Sequence, residues 1–249
     1  MRQDFPAKAV LEPELIAETA DYIVVYKPPA MHTVPLYAGE SGTLLDWITG
    51  RFPEIRAVRG KKACEGGIVH RLDFETRGLV LAARNQRGFD FFVHEQKSGR
   101  FIKEYRALTA AAPHPLPGFP PRPPDSFSGL PAMKMPFVIE SAFRPFGPGR
   151  KAVRPVVSAA GPAYRTEFIA CSPEAGTVMC RLRLVRGFRH QIRCHLAWLG
   201  HPIINDTLYG GVHLKGSLQL EACELCFADP SSTETPNLKT VRCLLPAPA

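Results

Sequence analysis

The chain has no apolar run approaching 18 residues, so a membrane-spanning helix is not expected. The start, Met1-Arg-Gln-Asp-Phe-Pro-Ala-Lys8, has no apolar stretch after its charges, which argues against a secretory signal. Neither G-x-G-x-x-G nor a Walker A string occurs, so a Rossmann dinucleotide site and ATP use lack support. The seven cysteines are odd in number and scattered, unlike a disulfide framework, and predict a reducing, cytoplasmic setting. Cys223-Glu-Leu-Cys226 is a lone C-x-x-C without a second pair, and His190 with Cys194 lacks a third ligand at suitable spacing. No metal site is read from them. Internal repeats are absent too.

What is present is the balance of a folded protein. Hydrophobic residues make up 45% of the 249 and charged residues 22%, enough burial material for one large domain or two small ones. The net charge is +8, and 21 of the 31 basic residues are arginine. Arginine's planar fork suits phosphate and stacks on bases, so nucleic acid is a reasonable partner, although a solvated basic surface would read the same way.

Tyr22-Ile-Val-Val-Tyr26 predicts a buried strand stopped by Lys27-Pro-Pro29, and Thr43 a cap for a short helix to Ile48. Leu79–Ala83 predicts a strand, and residues 86–98 a helix with Phe89, Phe92 and Val93 on one face and Gly99 as its stop. Phe101–Leu108 predicts another strand. From Cys180 to Leu184 apolar residues alternate with Arg181 and Arg183, again a strand, and 190–199 predicts a helix closed by Gly200. Residues 113–162 hold 13 of the 25 prolines, including Pro120-Pro-Arg-Pro-Pro124. They predict an ordered excursion with a polyproline portion near 117–124, with an interdomain linker as the alternative.

Two clusters could carry chemistry. In His70-Arg71-Leu72-Asp73-Phe74-Glu75-Thr76, an aspartate beside an arginine could serve as nucleophile, base or charge partner, or simply cap a turn. Asp73 with Glu75 also fits a glycoside hydrolase pair, though Gly78 suggests a bend rather than a flat strand. Arg186-Gly-Phe-Arg-His-Gln-Ile-Arg-Cys-His195 is a basic strand end feeding a helix N-terminus, suited to phosphate or to holding a carboxylate. A solvated basic turn is the plain alternative.

These strings resemble a known family. Gly67-Ile-Val-His-Arg-Leu-Asp-Phe-Glu-Thr-Arg-Gly-Leu79 is similar to the catalytic motif of RNA pseudouridine synthases, in the branch of ribosomal large-subunit pseudouridine synthase A. His190-Gln-Ile-Arg-Cys-His-Leu-Ala-Trp-Leu-Gly-His-Pro-Ile203, Asn205-Asp-Thr-Leu-Tyr-Gly210, Lys103-Glu-Tyr105 and Tyr26-Lys-Pro-Pro29 resemble further motifs of that family, in its order. The resemblance implies a single α+β catalytic domain over 1–249 without an N-terminal S4 module. Its sheet would be mixed and largely antiparallel, with a central RNA-binding cleft flanked by helices and loops. It implies isomerisation of uridine to pseudouridine in rRNA or tRNA by base flipping, without cofactor, by a protein that is usually a monomer. A catalytically idle RNA binder of the same fold is the alternative. By resemblance Asp73 is the catalytic aspartate, Tyr105 packs on the base, Arg193 pairs with the aspartate, and Arg71 enters the gap left in the RNA. Arg77, Lys103 and Arg189 are expected at RNA. The chain departs from the family at Arg77, usually serine, at Gly187-Phe-Arg-His-Gln191, and in Leu220–Pro230, where two histidines are lost.

Overall fold

The computed structural model describes residues 12–112, 114–123, 130, 133–157, 162–231 and 238–242. The readings made on residues 1–8, on Pro124 and on parts of the proline-rich stretch lie outside them. The contacts divide the chain into two compact units. Unit 1 holds the described residues up to Lys103 and those from Glu221 onward; unit 2 holds Glu104–Leu220.

In unit 1, β1 (Glu14–Glu18), β2 (Tyr22–Lys27), β3 (Arg77–Ala83), β9 (Leu220–Ala228) and β10 (Leu238–Arg242) lie side by side. The β3–β9 pairing is parallel, and β1–β2, β2–β3 and β9–β10 are antiparallel. Both faces of β2 and β3 are covered, which is why their sequences read as continuous apolar runs. Tyr22, Val24, Leu79 and Leu81 pack with Phe89 and Phe92 of α3 (Gln86–Lys97) and with Phe101 and Phe227. Ile23, Val25, Val80 and Ala82 pack with α1 (Leu44–Thr49) and α2 (Glu54–Ala57). Thr43 caps α1 as expected: its side chain accepts from the Asp46 amide while the Asp46 carboxylate accepts from the Thr43 amide.

In unit 2, β7 (Tyr164–Glu174) and β8 (Thr177–Leu184) form an antiparallel hairpin, with β4 (Ile102–Thr109) beside β8. Strand β5 (Phe137–Phe146) divides its length between two neighbours. Residues 137–141 pair with β7 and residues 142–146 with β6 (Ala152–Val156). The described residues of the proline-rich stretch lie inside unit 2, where two of its pieces are strands. Two residues of the stretch expected as polyproline are tied down: Trp198 Nε1 donates to the Pro121 carbonyl at 2.9 Å, and Arg122 donates to the Ala112 carbonyl at 3.0 Å. Taken together the described pairings give the mixed, largely antiparallel α+β fold that was expected. No helix among the described residues is long and apolar enough to cross a membrane.

Helix α4 (Gln191–Trp198) is buried along its whole length rather than on one face. Its His195 lies between Thr166 Oγ1, 2.8 Å from Nδ1, and Ser141 Oγ, 3.0 Å from Nε2. Burial pushes its pKa from 6.5 down to about 3. The folded value is below the unfolded one, so between about pH 6.5 and 3 the unfolded chain binds a proton that the native state refuses. Stability should therefore fall as pH drops through that window. Urea unfolding at a series of pH values should show the dependence reduced by about one proton in His195→Gln.

Candidate active site

The residues singled out by the sequence fall in both units. Asp73, Arg71, Arg77 and Lys103 belong to unit 1; Tyr105, Arg189 and Arg193 belong to unit 2.

The Asp73 loop joins Val69 to β3, and its backbone is fixed from below. Lys27, at the end of β2, has no exposed surface. Its ammonium donates to the carbonyls of Pro28 (2.8 Å), Met31 (2.8 Å) and Phe74 (3.3 Å). Three donors meet three acceptors, so the β2 exit and the Asp73 loop are held by one group. Met31 N–H donates to the same Phe74 carbonyl at 3.2 Å. On the other side of Asp73, Thr33 Oγ1 donates to the Leu72 carbonyl and accepts from the Leu72 amide, at 3.0 and 3.1 Å. Both neighbours of Asp73 are thus clamped, and Asp73 itself is half-buried. Burial lowers the Lys27 pKa from 10.5 to about 7, and the nearby carboxylates of Asp73 and Glu75 pull it back up. Read from the sequence alone, Lys27 is only part of the turn that ends β2. Its position directly before Pro28-Pro29 was the available signal.

Lys27→Met would leave the Pro28 and Met31 carbonyls without their Lys27 donor and the Phe74 carbonyl with the Met31 amide alone. We expect a kcat roughly 10- to 100-fold lower, from a displaced loop, with a smaller change in RNA affinity. Single-turnover rates and binding isotherms on the same RNA would separate the two; an unchanged kcat would remove Lys27 from the positioning of Asp73.

Around this loop, Arg71 is exposed, with Nη1 3.3 Å from Glu65 Oε1. His70 is buried and kept neutral by burial and by the charges of Lys103 and Lys61; its Nε2 accepts from the Leu81 amide at 3.3 Å. Arg77 lies with its Nε 3.7 Å from Glu221 Oε1, its side chain 12% exposed, and Glu221 also accepts from the Tyr26 hydroxyl at 3.2 Å. Lys103 is 6% exposed, and burial, then Lys61, lowers its pKa to about 8.

In unit 2, Tyr105 is a buried residue of β4. Arg193 of α4 is 1% exposed. Asp206 grips it with both oxygens: Nε donates to Oδ2 and Nη2 to Oδ1, each at 2.8 Å. Asp206 Oδ1 also accepts from the amides of Leu208 (3.1 Å) and Tyr209 (3.2 Å), and the guanidinium carbon lies 5.5 Å from the Tyr209 ring centre. Both carboxylate oxygens are thus engaged, and two N–H groups of the guanidinium are fixed in direction. Tyr209 is fixed in turn: its hydroxyl accepts from the Val153 amide at 2.8 Å and lies 3.2 Å from His190 Nδ1. His190, before α4, takes a left-handed backbone with φ 55°. Asp206 and Tyr209 were visible in the sequence as Asp-Thr-Leu-Tyr-Gly, but not as the support of Arg193. Arg189 is exposed and donates to the Arg150 and Ala152 carbonyls at 2.9 and 3.2 Å. Glu104 of β4 ties Arg181 and Arg183 of β8, so that solvent-facing basic strand carries an ion-pair network.

Residues 21–198 match the family described as RNA pseudouridylate synthase. The chain is 31% identical over 210 residues to an uncharacterized RNA pseudouridine synthase of Chloroflexus aurantiacus, covering 83% of this chain and 58% of that protein. It is 28% identical over 197 residues to ribosomal large subunit pseudouridine synthase D of Haemophilus ducreyi, covering 79% of this chain and 52% of that protein. The chain thus spans a little over half the length of these two relatives. Among solved structures, human RNA pseudouridylate synthase domain containing 1 shares the fold with a TM-score of 0.66 and 21% identity, over 94% of this chain and 84% of that one.

Proposed function

Because the chain belongs to the RNA pseudouridylate synthase family, we propose that it isomerises uridine to pseudouridine in structured RNA, with rRNA the first substrate to test and tRNA the second. The observation that carries this reading is Asp73 on a half-buried loop clamped at both neighbouring carbonyls by Lys27 and Thr33. A carboxylate so held is oriented before substrate arrives, which is how positioning lowers a barrier.

In the proposed reaction the bond from uracil N1 to the ribose breaks, the base turns, and a bond from C5 to the same sugar carbon forms. The C5 proton is lost and N1 gains one, so atoms balance and no redox equivalent or water is consumed. That chemistry calls for no cofactor. Asp73 acts at the sugar, by attack or by assisting formation of a glycal. Tyr105 packs on the base and helps remove the C5 proton. Arg193 is the cation assigned to the Asp73 carboxylate, and Asp206 is its positioning residue. A base within a stack is unreachable, so the target is flipped out and Arg71 fills the gap. RNA contact falls to Arg71 and Arg189, which are exposed. Arg77 and Lys103, with less exposed surface, are assigned to the same RNA contact at the starts of β3 and β4. A monomer working in the cytoplasm completes the proposal.

The test is pseudouridine mapping by chemical labelling and sequencing of total RNA from cells with and without the gene. Loss of defined sites, restored by wild type and not by Asp73→Asn, supports the reading and names the substrate. RNA binding by the purified chain without any pseudouridine formed, on the same RNA, would replace it with an idle RNA binder.

A further inference from the structure

Two cysteines in unit 2 stand outside the chemistry above. Cys171 on β7 and Cys180 on β8 are direct partners in the antiparallel ladder. Their sulfurs are 3.0 Å apart, and both are thiols. Opposed residues in such a ladder have Cα atoms about 4.5–5.5 Å apart. A disulfide accepts about 4.4–6.8 Å, so the bond can close without moving either strand. The strands are joined by the tight turn at Ala175-Gly176, which holds the two sulfurs in register. The other described cysteines are placed differently. Cys223 and Cys226 are three apart on β9, so they point to opposite faces, and Cys64 is exposed on unit 1.

The two thiols are also unequal. Cys171 is partly exposed, and Cys180 is buried. The neighbouring sulfur and burial push the Cys180 thiol far up, and Cys171 is the sulfur of the pair that solvent reaches.

We propose that Cys171 and Cys180 form a reversible oxidation site for peroxides. The Cys171 thiolate attacks one peroxide oxygen and becomes a sulfenic acid, and the other oxygen leaves as hydroxide and takes up a proton to give water. The Cys180 sulfur then attacks the sulfenic sulfur, and its proton leaves with the hydroxyl group as a second water. Two thiols and one hydrogen peroxide give one disulfide and two waters. The sulfurs are oxidised and the peroxide is reduced. A dithiol reverses the bond by exchange.

The test uses the reduced full chain, freed of reductant and treated with hydrogen peroxide at low molar excess. Thiols are then counted, and peptides are mapped without reduction. The expected result is loss of two thiols, one peptide pair linking Cys171 to Cys180 that is lighter by two hydrogens, and full recovery with dithiothreitol. Cys171→Ser and Cys180→Ser should each abolish the link. Should either variant fail to fold, phenylarsine oxide on the wild type replaces it. This reagent bridges adjacent thiols, and it should protect this pair from later alkylation and block the link. The proposal is overturned if Cys64 is oxidised while the pair stays reduced, if Cys171 passes to sulfinic acid without linking, or if it links to another cysteine.

Discussion

Asp73→Asn is expected to lower pseudouridine formation by at least about 10³-fold while RNA binding stays within a few-fold of wild type. Asparagine keeps the shape and a hydrogen-bonding oxygen but carries no charge, so it neither attacks the sugar nor accepts a proton. The surrounding loop should not collapse. It is anchored through the backbone carbonyls of Leu72 and Phe74, which Thr33 and Lys27 hold irrespective of the side chain between them. The effect should therefore fall on the chemical step, seen as a lost single-turnover rate beside an intact binding isotherm. A variant retaining wild-type turnover would remove Asp73 from the chemistry and leave the family assignment without a catalytic group on this loop.

The second large effect is expected at Asp206. Arg193 and Asp206 are both fully buried, and the pair is bidentate. Replacing one member of such a pair strands the other charge, at a cost of about 3–5 kcal/mol. Asp206→Ala should cost that much in urea unfolding, monitored by tryptophan fluorescence, since Trp198 ends the same helix. Asp206→Asn, which keeps an acceptor for one guanidinium N–H, should cost less. If Arg193 serves the proposed chemistry, Asp206→Asn should also lower turnover more than its stability loss explains, at a temperature where the protein stays folded. An Asp206→Ala protein as stable as wild type would show that Arg193 draws little from this pairing.

Sequence reasoning succeeded where the deciding forces are local. Tyr22–Tyr26 reads as a strand because β-branched and aromatic residues on both faces meet a core. Thr43 reads as a cap because its partner Asp46 is three residues away. It failed where partners are distant or where composition misleads. Prolines hid β5 and β6, because Pro145 and Pro155 occupy ladder positions between a strand and its edge neighbour, where a missing donor is tolerated. Among the site residues, Asp73 and Arg193 were legible as motif members. Lys27 as an anchor and Asp206 as a clamp were not, because each role depends on segments that only the tertiary fold brings together.

The buried ammonium of Lys27 also decides how the Asp73 loop can move. Surface loops usually open at little cost, independently of the sheet that carries them. Here the anchor is a side chain of β2 itself, sealed beneath the loop and bonded to carbonyls from both segments. Releasing Phe74 exposes an ammonium that is otherwise enclosed by protein, and lets water reach the end of a central strand. The loop and the edge of β2 should therefore belong to one cooperative unit of unfolding. Selection for a stable core in unit 1 then acts on the placement of the proposed catalytic carboxylate as well.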